Sequence, residues 1–183
     1  MAVESIKIPL GTEAPYFELK DPYGKVYKLD ELFGSKGLVI IFTCNHCPYA
    51  QAIWPRSIEL YQKVKDKGIN FVAINPNVAN PAYPEDSIEK MKEYIQKLNI
   101  PFPYLIDETQ EVARKYNAQC TPDIYLYNAE RKLVYHGRFD DNWKDPNKVK
   151  SKDLEEAILN LIEGREINPE QYPSIGCSIK WVK

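Results

Sequence analysis

The feature that most constrains this chain is a pair of cysteines, two residues apart, at a boundary between two kinds of local structure. Thr43-Cys44-Asn45-His46-Cys47-Pro48 follows the apolar run Leu38-Val39-Ile40-Ile41-Phe42 and precedes a segment of helical character. An apolar run without alternation reads as a strand buried on both faces. The first turn of a helix offers unpaired N–H groups and the positive end of the dipole, so a thiolate placed there is stabilised. Its pKa falls below the free value of about 8.5, and the attacking species then exists near neutral pH. Cys44 and Cys47 can close a small disulfide ring or stand open as a dithiol. The competing reading is half of a zinc site, which needs two more ligands at suitable spacing. Cys120 and Cys177 are single and distant, so no metal is expected.

The 183 residues are enough for one α/β domain with its own core. We expect a single domain over 1–183, with a core of about 12–163 and a tail of 165–183. A net charge of −2 and a pI near 5.8 show no basic patch for nucleic acid and no block of like charge. The longest fully apolar run is five residues, too short to span a bilayer. The first seven residues, Met1-Ala-Val-Glu-Ser-Ile-Lys, contain no apolar signal-peptide core. The expectation is a cytoplasmic protein without membrane contact. Structural disulfides are rare in that compartment, which favours a catalytic, metal-binding or simply buried role for the cysteines.

Along the chain, residues 16–20 and 25–28 flank Asp21-Pro22-Tyr23-Gly24 and read as a hairpin. Residues 29–33 form a helical turn ended by Gly34. Residues 37–43 are the buried strand. In the helix that follows, Pro48 falls in the first turn, where its missing N–H costs little, whereas Pro55 should kink or split it near Ile53. Residues 69–75 form a second buried strand and 76–84 a surface loop. Asp86 and Glu89 read as a capping box for a helix with the apolar face Ile88, Met91, Ile95 and Leu98. A strand over 102–106, a short helix over 108–116, a loop at Cys120-Thr121-Pro122 and a hairpin over 124–127 and 133–136 come next. The last helix starts at Ser151, presents Leu154, Ala157, Ile158, Leu161 and Ile162 on one face, and stops at Gly164. Right-handed crossovers make the middle strands parallel, and the closing hairpin adds antiparallel ones. The cysteine pair then lies beyond the carboxyl end of a central strand, where open α/β sheets place their sites.

With these residues in hand the chain resembles the thioredoxin superfamily. It is most similar to its redoxin branch, the alkyl-hydroperoxide-reductase/thiol-specific-antioxidant proteins and the membrane-tethered thiol–disulfide thioredoxins. Four features carry the resemblance: Ala14-Pro15-Tyr16-Phe17-Glu18-Leu19 with its hairpin, Phe42-Thr43-Cys44-Asn45-His46-Cys47-Pro48, the inserted strand–helix unit around 69–100, and Thr121-Pro122 before the final hairpin. The resemblance implies a thioredoxin-like α/β fold, a central mixed sheet flanked by helices, with an N-terminal β-hairpin and the inserted unit. It also implies a cis peptide at Thr121-Pro122 beside the cysteines, with Thr121 and Pro122 contacting an extended substrate. There are departures. Many thioredoxins have Trp before the first cysteine and a buried acid six residues before it; here these positions hold Thr43 and Leu38. The tethered branch uses an acid after the second strand, where this chain has Asn75 and Asn77, with Glu85 and Asp86 further on. Peroxiredoxins place Thr three residues before a Cys-Pro; Thr43 is four before Cys47.

The expected activity is thiol–disulfide exchange: Cys44 attacks a protein or small-molecule disulfide and Cys47 resolves the mixed disulfide. Asn45 and His46 tune the pair, a partly charged imidazole favouring the thiolate. No cofactor is expected, and the reductant is left unnamed. The alternative is a thiol peroxidase passing through a sulfenic acid. A non-catalytic module with vestigial cysteines is a further class, against which the intact pair argues. Cys120 and Cys177 are candidate extra redox thiols; Cys120 is otherwise a small buried hydrophobe. His136 is expected to be a surface or structural residue. Arg138, Asp140 and Asp141 are expected to be solvated charges. Cys177 could belong to a tail that crosses to the active face. The favoured expectation is an edge strand alternating through Ile175, Cys177, Ile179 and Trp181, with Cys177 buried and dispensable for turnover.

Overall fold

The computed structural model describes residues 2–182. β1 (Ala2–Glu4) is followed by a hairpin of β2 (Glu18–Lys20) and β3 (Val26–Lys28). Asp21 shapes its turn by accepting from the Tyr23 and Lys25 N–H groups at 2.9 and 3.0 Å. Gly24 there has φ +91°, a region that residues with a Cβ avoid. A single turn, α1 (Leu29–Leu32), leads to β4 (Gly37–Phe42), α2 (Pro48–Val64), β5 (Ile69–Asn75), α3 (Ile88–Leu98) and β6 (Tyr104–Ile106). Then come α4 (Glu111–Lys115), β7 (Cys120–Thr121), β8 (Asp123–Asn128), β9 (Leu133–Gly137), α5 (Asp153–Glu163) and β10 (Ile175–Ser178).

Seven strands form the main sheet in the order β3-β2-β6-β5-β4-β8-β9. β4, β5 and β6 pair in parallel, whereas β2 pairs antiparallel with both β3 and β6, and β8 antiparallel with both β4 and β9. Every β4 residue is buried because the sheet is covered on both faces. Val39 and Ile41 pack with Trp54, Leu60, Leu154 and Ile158, while Leu38, Ile40 and Phe42 pack with Leu29, Val112 and Tyr116. The missing alternation in β4 is therefore the signature of two cores rather than one. Among the described residues no helix is long and apolar enough to cross a membrane.

Several expectations are corrected. α2 runs through Pro55 without splitting. Pro55 lies on the exposed face, where the carbonyl that loses its N–H partner can be hydrated. The cap of α3 is Ser87, whose side chain accepts the Lys90 N–H at 3.2 Å, and not Asp86. α4 and α5 start later than expected, at Glu111 and Asp153. Cys120 and Thr121 are a short strand rather than a loop. β7 pairs with β10, which pairs on its other side with β1. This second, three-stranded sheet closes over the carboxyl end of β4, so β10 is a central strand and not an edge. Its alternation also fails, since Ile175 and Trp181 are exposed; main-chain pairing, not an apolar face, holds it.

Candidate active site: the Cys44–Cys47 pair

β4 ends at Phe42, and the Thr43 N–H still pairs with the Ile74 carbonyl at 2.9 Å, which delivers Cys44 to the carboxyl edge of the sheet. Its carbonyl accepts the Trp54 indole N–H at 3.1 Å, tying the loop to the first turns of α2. Cys47 is the N-cap of α2 and Pro48 its first residue, the position where proline's lost N–H is harmless. Both sulfurs are fully buried. The Cys44 Sγ is 3.3 Å from the Thr121 hydroxyl, and the Cys47 Sγ lies 3.4 Å from the Thr121 carbonyl oxygen. The Thr121-Pro122 peptide is cis. The structure thus brings Cys44, Cys47, Thr121 and Pro122 together, from elements 74 residues apart.

Asn45 and His46 are anchored from the inserted unit. The Asn45 N–H donates to Asp86 Oδ1 at 2.6 Å and its side-chain amide to the Glu85 carbonyl at 3.1 Å. His46 Nδ1 pairs with Asp86 Oδ2, and its ring stacks on Tyr83. Behind them Tyr104 donates its hydroxyl to Asn45 Oδ1 at 2.7 Å. Asn75 reaches both the Tyr104 hydroxyl, at 3.1 Å, and Asp86 Oδ1, at 3.3 Å. Asp86 and Asn75 are completely buried, so these contacts offset the desolvation of a carboxylate and an amide. From sequence, Asn75 and Asp86 are placed in the region where the tethered branch has its acid and Asp86 is read as a helix cap, but neither is assigned to the site, and Tyr104 is not identified at all. The available signals were a second acid directly before Ser87, itself a good cap, and polar side chains inside strands otherwise apolar.

The electrostatics differ from the expectation at one point. Burial pushes the Cys44 thiol well up, and its hydrogen bond to Cys47 and the Asp86 charge add to this. Cys47 is held down to about 5, mainly by the hydrogen bond from Cys44, with smaller contributions from Cys177 and the Ala50 N–H opposing its burial. The two shifts are opposite in direction, up at Cys44 and down at Cys47. Cys47 is the residue at the helix end, where the dipole acts, while Cys44 lies before the helix and beside a carboxylate. Asp86 raises the His46 pKa, mainly through their hydrogen bond.

The remaining predicted residues separate. Cys120 is fully buried, and burial drives its thiol far up. Cys177 is half-buried and packs on the cluster of Cys44, Cys47 and Ala50. His136 is structural: buried, 2.8 Å from Asp123 Oδ1 and stacked on Tyr125. Asp140 is not a solvated charge but is buried against Arg56 at 2.8 Å, and Arg138 pairs with Asp153 at 2.9 Å. Asp141 lies at the surface. A cleft of about 270 Å³ beside Pro122 is lined by Tyr49, Arg138, Asp140, Trp143 and Ile175 among others. Neither this cleft nor a larger one, of about 480 Å³, has any of the four cysteines in its lining. The expected open backbone edge at Thr121 is taken by the chain's own β10.

Cys44, His46 and Asp86 place a sulfur, a ring nitrogen and a carboxylate oxygen within 4.8 Å of one another, a set able to hold a metal ion. The carboxylate oxygens already serve the Asn45 N–H, Asn75 and His46, so a cation would displace that network.

The chain as a whole is similar to known proteins. The model of the AhpC/TSA family matches residues 10–136. The thiol-disulfide oxidoreductase ResA of Bacillus anthracis is 29% identical over 128 residues, covering 70% of this chain and 69% of that protein. A crystal structure of a conserved protein from Geobacillus kaustophilus has a TM-score of 0.94 at 44% identity, covering 100% of this chain and 97% of that one. A crystal structure from Sinorhizobium meliloti gives a TM-score of 0.92 at 39% identity, with 98% of each chain covered. The fold, the placement of the cysteine pair and the extent of these matches lead to one assignment, that the chain belongs to the AhpC/TSA family.

Proposed function

We propose that this protein is a thiol–disulfide oxidoreductase, exchanging the Cys44–Cys47 dithiol with disulfides of protein substrates. The observation that carries this reading is the buried Cys44–Cys47 pair at the start of α2, with its two sulfurs on the hydroxyl and carbonyl of Thr121 beside the cis Thr121-Pro122 peptide. The ResA similarity supports the same activity. In the reducing direction the Cys47 thiolate attacks one sulfur of the substrate disulfide, whose bonding pair leaves on the other sulfur. Cys44 then loses its proton and attacks Cys47, which releases the second substrate thiol and closes Cys44–Cys47. The Thr121 hydroxyl lowers the Cys44 pKa and so eases that second step. Burial of both sulfurs keeps water and stray oxidants from the pair.

Two measurements test this. The reduced protein should reduce insulin disulfides, and loss of either cysteine should abolish turnover. An activity retained in Cys47→Ser would sink the assignment. Peroxide should be consumed no faster than by a free thiolate. Thr43 stands four residues before Cys47, one more than the spacing by which peroxiredoxins place Thr before their Cys-Pro. A fast single-turnover reaction with a sulfenic acid on Cys47 would replace this reading by a peroxidase.

A further inference from the structure

The C-terminal segment is built into the active site. β10 runs antiparallel to β7 with Cys177 opposite Thr121 and Ser178 opposite Cys120, while Ala2 and Val3 of β1 flank its other side. Its seat is close: a Cβ on Gly176 would lie 2.1 Å from the Thr121 carbonyl oxygen and 3.0 Å from the Pro122 nitrogen. Only glycine fits there. The segment is fastened at both ends. Ser174 donates its hydroxyl to the Pro122 carbonyl at 2.6 Å. Beyond the strand, the Lys180 N–H donates to Asn77 Oδ1 at 2.9 Å, and the Lys180 carbonyl accepts from Gln110 at 3.0 Å. Ile179 between them is buried. These contacts hold Cys177 against Cys47, the position an incoming disulfide must reach, at the residue that a bound extended peptide would pair with.

We propose that Cys177 is a third redox thiol of this site, presented to Cys47 by the chain's own strand in the place of a substrate, and that it exchanges with the Cys44–Cys47 disulfide. The proposal rests on the oxidoreductase reading, which supplies the oxidised pair. Cys177 gives its proton to solvent, and its sulfur attacks Cys47. The Cys47–Cys177 bond forms, the Cys44–Cys47 bond breaks, and its electron pair leaves on Cys44, which takes up a proton. One disulfide is lost and one gained, so no oxidant or reductant is consumed. Burial and the neighbouring Cys47 raise the Cys177 thiol to about 11, so the resting reduced form keeps it protonated and Cys47 ionised. The exchange locks β10 covalently over the cysteine pair, and a reductant must open it before substrate can dock at Thr121.

The test is peptide mapping of the full-length protein, poised in glutathione buffers, acid-quenched and alkylated. Trypsin leaves Cys44 and Cys47 together on the 37–56 peptide and Cys177 on the 166–180 peptide, so a cross-link between the two is diagnostic. In the wild-type protein the linked peptides should carry alkylated Cys44. Cys44→Ser should retain the cross-link, formed there as Cys177 displaces glutathione from a Cys47–glutathione mixed disulfide, and Cys47→Ser should lose it. Gly176→Ala, which lifts the strand from Thr121 and touches no thiol, should reduce the cross-link at least tenfold while Cys44–Cys47 still forms. A wild-type protein that forms Cys44–Cys47 with no cross-link at any poise overturns the proposal and leaves the oxidoreductase reading intact. A cross-link undiminished in Gly176→Ala also overturns it. Failure of Cys44–Cys47 to form in the wild type removes both.

Discussion

Asp86 Oδ1 accepts the Asn45 main-chain N–H at 2.6 Å, across 41 residues of sequence, and its other oxygen holds the His46 ring. One buried carboxylate from the inserted unit thus fixes the two residues between the cysteines. Asp86→Asn should return the His46 pKa toward 6.5 and lower that of Cys44, because the charge that raises both is gone. The lost charge-assisted bonds should cost about 1–3 kcal/mol. The His46 contribution is complete below its unfolded value of 6.5 and is lost as pH rises through its higher native value. NMR titration of His46 with urea unfolding at two pH values checks both parts.

Cys47 sets the pH response of the reduced protein. Its native pKa of about 5 lies below a thiol's ordinary value of 9.0, so between these the folded state binds fewer protons than the unfolded. Its contribution to stability is therefore complete above about pH 9 and disappears as pH falls through about 5. Cys44 and Cys177 are shifted upward and act oppositely, eroding stability above pH 9. Denaturant midpoints across pH should rise and then fall for the reduced protein, and the rise should be absent once Cys47 is in a disulfide. Thiolate absorbance in the ultraviolet should show one group titrating near pH 5; a first thiolate appearing only near 9 would contradict the assignment.

Thr121→Val keeps the main-chain carbonyl at Cys47 but removes the hydroxyl at Cys44. The Cys44 pKa should rise further, slowing resolution of the mixed disulfide by roughly tenfold, as expected where a thiolate fraction controls the rate. Rapid-quench accumulation of the mixed disulfide, with the attack rate unchanged, is the signature.

Cys120 should behave as packing, not chemistry. It is fully buried, with its thiol at 3.5 Å from the Pro122 carbonyl. Cys120→Ala should leave insulin reduction intact and lower stability by about 1 kcal/mol, the cost of a lost buried group of this size. Alkylation of Cys120 before global unfolding would count against this.

The parts legible in the sequence are those with local causes. The unbroken apolar run of β4, the Asp21–Gly24 turn, the proline after Cys47 and the apolar face of α3 each follow from periodicity or from the preferences of a few adjacent residues. Together with the cysteine spacing and Thr121-Pro122 they point to the fold, the family and the candidate cysteine pair. Even there, cap assignment went astray at Asp86, because an acid near a helix start satisfies the same local pattern whether it faces solvent or the core.

Only the tertiary structure decided which groups surround the sulfurs. Asp86, Asn75 and Tyr104 reach Asn45 and His46 because β5, β6 and the inserted unit pack beside β4. Cys177 reaches Cys47 because β10 is drawn between β1 and β7 by main-chain pairing, which leaves no side-chain period in the sequence. The place of the thiolate followed from both, since a thiol's pKa is set by burial and by charges within a few ångströms. Those distances are fixed by chain segments that sequence alone leaves far apart.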